Sequence, residues 1–143
     1  MVRINLIHPS YLTDQHLVAE YLEIIMLVEN ARKYPNPKNI PKDYKLGEGH
    51  INFFKDKLKY LSKRHEQIKR EMQKRGFATR KTITFSKISK TQINDWRPKD
   101  LDLKIIKTRL IERINKKPEW YRDYRKNIGK KKLIDLIKNS KLR

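Results

Sequence analysis

Apolar side chains recur at intervals of three and four residues along three segments of the chain, and this helical period is the strongest constraint on its fold. The first segment begins at Thr13 or Asp14, either of which can cap a helix, and continues to about Asn30. Its main apolar stripe is Leu17, Tyr21, Ile24 and Val28, and a second stripe is Val18, Leu22 and Ile25. A helix that is apolar nearly all round is predicted to run through the middle of the domain.

Two further helices are predicted downstream, at about residues 48–75 and 98–116, each followed by a glycine or a proline. Residues 77–95 show no period and are predicted to be irregular. The last stretch, 130–143, has the pattern of a short amphipathic helix or a frayed basic tail. We therefore expect an all-α, single-domain bundle of about three main helices over residues 1–129, followed by a basic extension.

The positive charge is distributed unevenly. The net charge is +20, yet residues 1–50 carry six basic and six acidic side chains, whereas residues 104–143 carry fifteen basic and four acidic ones. This asymmetry is typical of a protein that binds a polyanion, because each Lys or Arg placed on a phosphate releases condensed counterions. A basic surface kept for solubility and attraction to anionic lipids are the alternatives.

Several classes of protein are excluded by what the sequence lacks. No apolar run reaches the ~18 residues of a transmembrane helix, and His8 and Pro9 interrupt the apolar stretch that a secretory signal would need. The absence of cysteine excludes disulfides, zinc fingers, iron–sulfur clusters and thiol nucleophiles. No phosphate-binding loop is present, and the four histidines have no metal-ligand spacing. We expect an intracellular protein that needs no metal and no cofactor.

One polar stripe lies on the otherwise apolar first helix. His16, Glu20 and Glu23 are spaced by four and three residues and therefore share a face. A buried carboxylate costs several kcal/mol unless it is paired or hydrogen-bonded, so these side chains need partners or a function. Alternatively, the two glutamates lie on a solvent-facing edge or pair with Arg3 and Arg32.

A basic face on the third predicted helix continues into an aromatic cluster. Its members are Arg109, Arg113, Lys116, Lys117, Trp120, Tyr121 and Arg122. Cations with interleaved aromatics are expected where a protein grips a nucleic-acid backbone and contacts sugars or bases. Alternatively, the two aromatic residues close the core; for Trp120 in particular, core packing is favoured over base stacking.

A colinear set of short motifs resembles the pyrimidine-dimer DNA glycosylases, the UV-repair enzymes of the phage endonuclease V type. The motifs are Arg3-Ile4-Asn5-Leu6, Asp14-Gln15-His16-Leu17, Ala19-Glu20-Tyr21, Glu23, Leu46-Gly47, Gly49-His50, Phe53-Phe54, Asp56-Lys57-Leu58, Lys74-Arg75-Gly76-Phe77, Pro118 and Trp120-Tyr121. The resemblance runs from residue 3 to about residue 126. It implies a small all-α protein whose N-terminal segment is threaded between the helices.

The resemblance also implies a mechanism and its residues. The α-amine of Val2, exposed when Met1 is removed, is expected to attack C1′ of a damaged nucleotide, and β-elimination then cuts the strand. Glu23 is the implied acid/base and electrostatic partner, with Arg3, Gln15 and His16 beside it. These features predict a DNA glycosylase with endonuclease (abasic lyase) activity, a hydrolase that acts as a monomer on double-stranded DNA. The DNA contacts that the resemblance implies are Arg109, Arg113, Lys116, Lys117 and Arg122. The aromatic–basic pattern adds Trp120 and Tyr121, and Arg32 is a candidate substitute for arginines that the family carries on the first helix.

The chemistry of the residues agrees with these roles. An α-amine has a reference pKa of about 7.7–8, so a useful fraction is neutral near pH 7, and a neighbouring Arg3 lowers that pKa further. However, Leu22 and Met26 stand where the family carries arginines, so a lesion other than a pyrimidine dimer is a second possibility. A non-catalytic basic DNA-binding protein on the same scaffold and an unrelated RNA-associated protein are further alternatives.

Overall fold

The computed structural model describes residues 3–35 and 38–142. Within those ranges the regular structure is helical, with no strand. The helices are α1 (Asp14–Lys33), α2 (His50–Phe54), α3 (Leu58–Lys74), α4 (Asp100–Lys116) and α5 (Lys130–Lys138), with 3-10 turns at Pro9–Tyr11 and Lys90–Gln92. The predicted all-α single-domain fold is confirmed. No helix in the described part of the chain is long and apolar enough to cross a membrane.

Helix α1 forms where the local signals predict it. The Thr13 hydroxyl caps it by accepting the backbone N–H of His16 at 3.1 Å, and the helix ends at Lys33. The predicted stripe of Leu17, Tyr21, Ile24 and Val28 is buried, packed on the α3 side of the core. The expectation that α1 is buried all round is wrong, because Leu22 and Met26 are 43 % and 64 % exposed. The helix therefore has one face in solvent, beside the polar stripe.

The single helix predicted over 48–75 is two helices with a break at residues 55–57. The Lys57 ammonium bonds the Phe53 carbonyl at 2.9 Å, which satisfies an acceptor at the end of α2. The turn lets Phe53, Phe54 and Leu58 all become buried. Apolar residues at intervals of three and four are compatible with one long helix and with two helices separated by a turn, since both arrangements bury the same apolar residues.

The last helix packs against α4 and reaches the N-terminal segment. Leu133 and Ile137 of α5 are buried in the same core as Ile106 and Leu110 of α4. Beyond α5, the carbonyl of Lys141 accepts the backbone N–H of His8 at 2.8 Å. The boundary predicted at residue 129 stays a prediction, but the core continues across it.

Candidate active site

A buried ion pair fixes the N-terminal segment between the helices. Arg64 of α3 donates to both carboxylate oxygens of Glu20 of α1, at 2.7 and 3.1 Å, and both residues are buried. The same carboxylate accepts the backbone N–H of Asn5 at 3.1 Å, and Arg64 also donates to the carbonyls of Leu6 and Ile7. The pair therefore stabilises the backbone of the segment directly, which confirms that it is threaded between helices.

The backbone of Ile4 is fixed by two aromatic side chains. Its N–H donates to Nε2 of His50 at 3.1 Å, and its carbonyl accepts the Tyr44 hydroxyl at 2.9 Å. Since Nε2 accepts, the other ring nitrogen of His50 carries the proton and donates to the Lys45 carbonyl at 2.9 Å. Burial lowers the pKa of His50 to about 4, so this neutral tautomer persists at neutral pH.

Arg3 and Glu23 stand where this segment meets α1. Arg3 is 7 % exposed, and Glu23 is partly buried. Desolvation raises the pKa of Glu23, and the charge of Arg3 acts in the opposite direction. Val2, the predicted nucleophile, lies outside the described residues, but it is joined to Arg3 by one peptide bond. The described geometry thus places the charge of Arg3, the residue after the predicted nucleophile, where it acts on the predicted carboxylate.

Most of the predicted site residues line one cavity of about 250 Å³. Its lining comprises Arg3, Asn5, Gln15, His16, Ala19, Arg109, Leu110, Arg113, Trp120 and Tyr121. Burial, followed by the charges of Arg113 and Arg3, lowers the pKa of Arg109. The guanidinium groups of Arg3, Arg109 and Arg113 together create a positive potential in the cavity, and such a potential attracts a phosphate.

His16 is held as a neutral ring in this cavity. It stacks on Tyr121 with ring centroids 4.7 Å apart, and its Nδ1 lies 2.9 Å from the Thr13 hydroxyl. Burial, together with the charges of Arg109 and Arg113, lowers its pKa to about 4. The ring can therefore take part in hydrogen bonding at pH 7 without adding a fourth positive charge.

The aromatic–basic turn after α4 is attached to α1 by Gln15. The Gln15 amide donates to the Trp120 carbonyl at 2.7 Å and accepts the Arg122 N–H at 2.9 Å. Tyr121 is 7 % exposed, but Trp120 is 57 % exposed, so the expectation that Trp120 packs in the core is wrong. The two rings are in edge-to-face contact, with centroids 5.1 Å apart, and Tyr121 also stacks on His16, whereas Trp120 lies at the surface.

A second buried cation, the guanidinium of Arg75, is linked to the same turn through Asp14. The guanidinium of Arg75 donates to Asp14 at 2.9 Å and to Glu71 at 2.9 Å, and Asp14 also accepts the N–H groups of Tyr124 and Arg125. Tyr124 and Arg125 both have positive φ, at 49° and 66°. Such a backbone is unfavourable for these residue types, and the Asp14 carboxylate compensates for it.

The remaining predicted DNA contacts lie outside the cavity. Arg32 is occupied within the protein, since its guanidinium donates to the carbonyls of Thr84 and Ser86 and pairs with Glu29. Lys116 and Lys117 are exposed at the end of α4, and Arg122 is partly exposed in a neighbouring groove. DNA binding by these residues stays a prediction.

Sequence reasoning missed the groups that position the site. Glu20 stood out as a polar residue on an apolar helix, but its partner Arg64 was not identified, because Arg64 lies on α3. Tyr44 gave no signal, His50 and Arg75 stood out only as members of the motifs, and Asp14 stood out only as a motif residue and a possible helix cap. Across residues 3–35 and 38–142, no group of three or more His, Asp or Glu side chains is placed to hold a metal ion.

A comparison with protein families matches residues 1–85 to the family described as pyrimidine dimer DNA glycosylase. The match covers more than half of the chain. It includes the N-terminal segment, α1, α2 and α3, and hence the Glu20–Arg64 pair, His50 and Glu23. The cavity arginines on α4 and the turn at 120–125 lie beyond the matched range.

Proposed function

The chain belongs to the pyrimidine dimer DNA glycosylase family, and we propose that it cuts out damaged pyrimidines from duplex DNA and cleaves the strand at the abasic site. The observation that carries the proposal is the fixed N-terminal segment. Four side chains, Glu20, Arg64, His50 and Tyr44, hold the backbone of residues 4–7, which begins two residues after the proposed nucleophile. We expect the enzyme to act as a monomer inside the cell, with no metal and no cofactor.

The nucleophile is the α-amine of Val2 after removal of Met1. Its nitrogen lone pair forms a bond to C1′ as the glycosidic bond breaks, and the base leaves with the bonding electrons and a proton. The sugar ring then opens, O4′ gains a proton, and an iminium links the enzyme to C1′. Loss of a proton from C2′ breaks the C3′–O bond, which releases the phosphate on the 3′ side. Water finally hydrolyses the imine and regenerates the amine.

An α-amine suits this chemistry better than a lysine. Its reference pKa of about 7.7–8 leaves a useful neutral fraction at pH 7, whereas that of lysine is about 10.4. Adjacent Arg3 and the cavity arginines disfavour the ammonium form, because like charges repel. A positioned backbone also removes part of the entropic barrier to attack.

Glu23 is the proposed electrostatic and proton-transfer group. A partly buried carboxylate stabilises the oxocarbenium and iminium charge more strongly than one in water. As the cation forms, it favours the ionised carboxylate and offsets the desolvation that raises the Glu23 pKa. Once transiently protonated, the Glu23 carboxyl donates a proton to O4′, and the carboxylate so formed accepts the proton lost from C2′.

The cavity of Arg3, Arg109 and Arg113 is the proposed contact with the DNA backbone. Phosphates placed there fix the register of the strand, and the attraction is independent of sequence. Reaching C1′ requires an unstacked nucleotide, which costs a few kcal/mol and least at a damaged pair. That difference favours lesions over undamaged DNA.

Trapping with borohydride tests the mechanism directly. Protein whose Met1 has been removed, verified by intact mass, is incubated with an abasic duplex and separately with a UV-irradiated duplex. A covalent adduct is expected on the abasic duplex, and strand cleavage on the irradiated duplex identifies dimers as substrate. One extra residue before Val2 moves the amine by about 3.8 Å and should suppress adduct formation.

Glu23→Gln is expected to lower the cleavage rate by about 100-fold or more. The matched control is Glu29→Gln, since Glu29 lies on the same helix with its side chain 64 % exposed. Absence of an adduct would leave a non-catalytic DNA-binding protein as the explanation. Cleavage by Glu23→Gln at the wild-type rate would contradict the role given to Glu23.

A further inference from the structure

An apolar strip on the solvent face of α1 has no role in the mechanism above. Val18, Leu22 and Met26 are spaced by four residues and therefore lie along one side of the helix. Leu22 and Met26 are 43 % and 64 % exposed. Glu23 follows Leu22 directly, so the strip lies beside the proposed catalytic carboxylate.

The strip continues into a groove of about 730 Å³. Val18 and Leu22 form one wall, and Phe77 and the exposed ring of Trp120 are also part of the lining. Arg122 and Arg125 line the same groove. It therefore combines apolar contact area with positive charge, next to the site at which the sugar would react.

The polar side chains of the groove are already occupied within the protein. Both functional atoms of the Gln15 amide are bonded to the turn at 120–122, and the Asp14 carboxylate is bonded to Arg75 and to two backbone N–H groups. Arg125 donates to the Gly76 carbonyl and lies over the Phe77 ring. A ligand in the groove would thus gain apolar contact and Coulombic attraction, with little hydrogen bonding to base edges.

From this arrangement we propose that Leu22 and Met26 form an apolar wedge that contacts base and sugar surfaces at the unstacked step beside the damaged nucleotide. Apolar side chains inserted at a base step are a known way to stabilise kinked, partly unstacked DNA. The wedge rests on the proposed function for its location, and it makes Leu22 and Met26 determinants of specificity. Lesions that weaken stacking are bound best, whatever the neighbouring sequence.

The positive charge favours DNA over a second copy of the chain as the occupant. Pairing two strips face to face would bring together Arg122 and Arg125 of both copies, on proteins that each carry a net charge of +20. Like charges at such a contact oppose association. Phosphates on either side of an unstacked step would instead be attracted to the same arginines.

The test uses a duplex that binds but cannot react. It carries a tetrahydrofuran abasic analogue, which forms no imine, next to a 2-aminopurine whose fluorescence rises when it unstacks. Affinity is measured for this duplex and for its undamaged counterpart, over a series of salt concentrations. The variants are Leu22→Ser, Met26→Ser and the double variant, with Leu101→Ser as control because Leu101 is 67 % exposed and outside this groove.

The double variant is expected to bind the analogue duplex about tenfold more weakly than the wild type and to lose the 2-aminopurine signal. Its affinity for undamaged DNA and its salt slope should stay unchanged, since no phosphate contact is removed. Leu101→Ser should behave as the wild type in every assay. All variants replace exposed residues, and their melting temperatures serve as the check on folding.

Three results would overturn the wedge. The first is that the double variant binds the analogue duplex as tightly as the wild type does. The second is that it loses affinity equally for damaged and undamaged DNA. The third is that the wild type forms a dimer and the double variant does not. Failure of the proposed function is recognised separately, as the absence of a borohydride adduct on a true abasic site. The analogue duplex reports on binding alone.

Discussion

Arg64 and Glu20 form a two-point ion pair in the centre of the protein, and each of them also binds the backbone of the N-terminal segment. Glu20 is 0 % and Arg64 is 2 % exposed. The pair is therefore a structural support for the segment that carries the proposed nucleophile, and its loss should affect stability and activity together.

Glu20→Gln should lower the free energy of unfolding by about 3–5 kcal/mol, because it leaves the Arg64 charge buried without its partner. Urea denaturation followed by circular dichroism measures the change. Glu66→Gln is the matched control, since Glu66 lies on α3 with its side chain 57 % exposed and should change stability by less than ~0.5 kcal/mol. A loss as small for Glu20→Gln as for the control would contradict the role given to the pair.

Stability should fall as the pH drops from 6.5 towards 4. Burial holds the pKa of His50 at about 4, below its ordinary value of 6.5, so the unfolded chain binds a proton in this window and the folded protein does not. The stabilising contribution is complete above pH 6.5 and is lost towards pH 4, amounting to about 3 kcal/mol for His50. Urea denaturation at several pH values should give a flatter profile for His50→Gln, in which an amide oxygen can still accept the Ile4 N–H. An unchanged profile would mean that this ring titrates normally.

The ratio of the wild-type strand-cleavage rate to that of Glu23→Gln should decline at low pH with a midpoint above the ordinary pKa of a glutamate. The ratio cancels the protonation of the α-amine, which both proteins share. Burial raises the pKa of Glu23, and the ionised carboxylate is the active form in the proposed mechanism. Because the Arg3 charge lowers that pKa, Arg3→Gln should move the midpoint to higher pH. Single-turnover cleavage of a preformed abasic site measures both profiles. A midpoint that moves downward, or does not move, would show that the charge of Arg3 does not lower the pKa of Glu23.

The salt dependence of DNA binding should identify the phosphate contacts. Arg109→Gln and Arg113→Gln are each expected to reduce the slope of log K against log salt by about 0.9, because one phosphate contact is lost. Lys104→Gln is the control on the same helix, since Lys104 is exposed and outside the cavity. Equal effects of all three substitutions would indicate diffuse attraction to the basic surface in place of contacts in the cavity.

Asp14→Asn should loosen the turn that carries Trp120 and Tyr121. The Asp14 carboxylate accepts two backbone N–H groups of the turn and the Arg75 guanidinium, so a neutral amide should cost about 2–4 kcal/mol. Hydrogen exchange at the amides of Tyr124 and Arg125 should accelerate more than in α3. Asp135→Asn, an exposed change on α5, is the control and should leave both regions unchanged.

The sequence predicts those parts of the fold that depend on neighbours along the chain. Helix α1 has its cap and its main apolar stripe within one continuous segment, so its start and that buried stripe follow from local rules, whereas the exposure of Leu22 and Met26 does not. The break between α2 and α3 does not, because it depends on where Phe53, Phe54 and Leu58 find space in the core.

The candidate site is predictable only as far as its residues share a helix or a motif. His16 and Glu23 stand on one face of α1, but the partner that explains Glu20 lies on another helix, 44 positions along the chain. Trp120 and Tyr121 are adjacent in sequence and yet differ in exposure, because only Tyr121 finds a ring to stack on. Long-range contacts of this kind have no signature in a single sequence.

The hydrogen bond from His8 to the carbonyl of Lys141 has a consequence for biosynthesis. A ribosome delivers the N-terminal segment first and Lys141 among the last residues of this sequence. During translation the His8 N–H therefore has no Lys141 carbonyl to bind, and this contact of the N-terminal segment forms only when residue 141 has left the exit tunnel. A nascent chain stalled after α4 should consequently be open to proteases at residues that are sheltered in the finished protein.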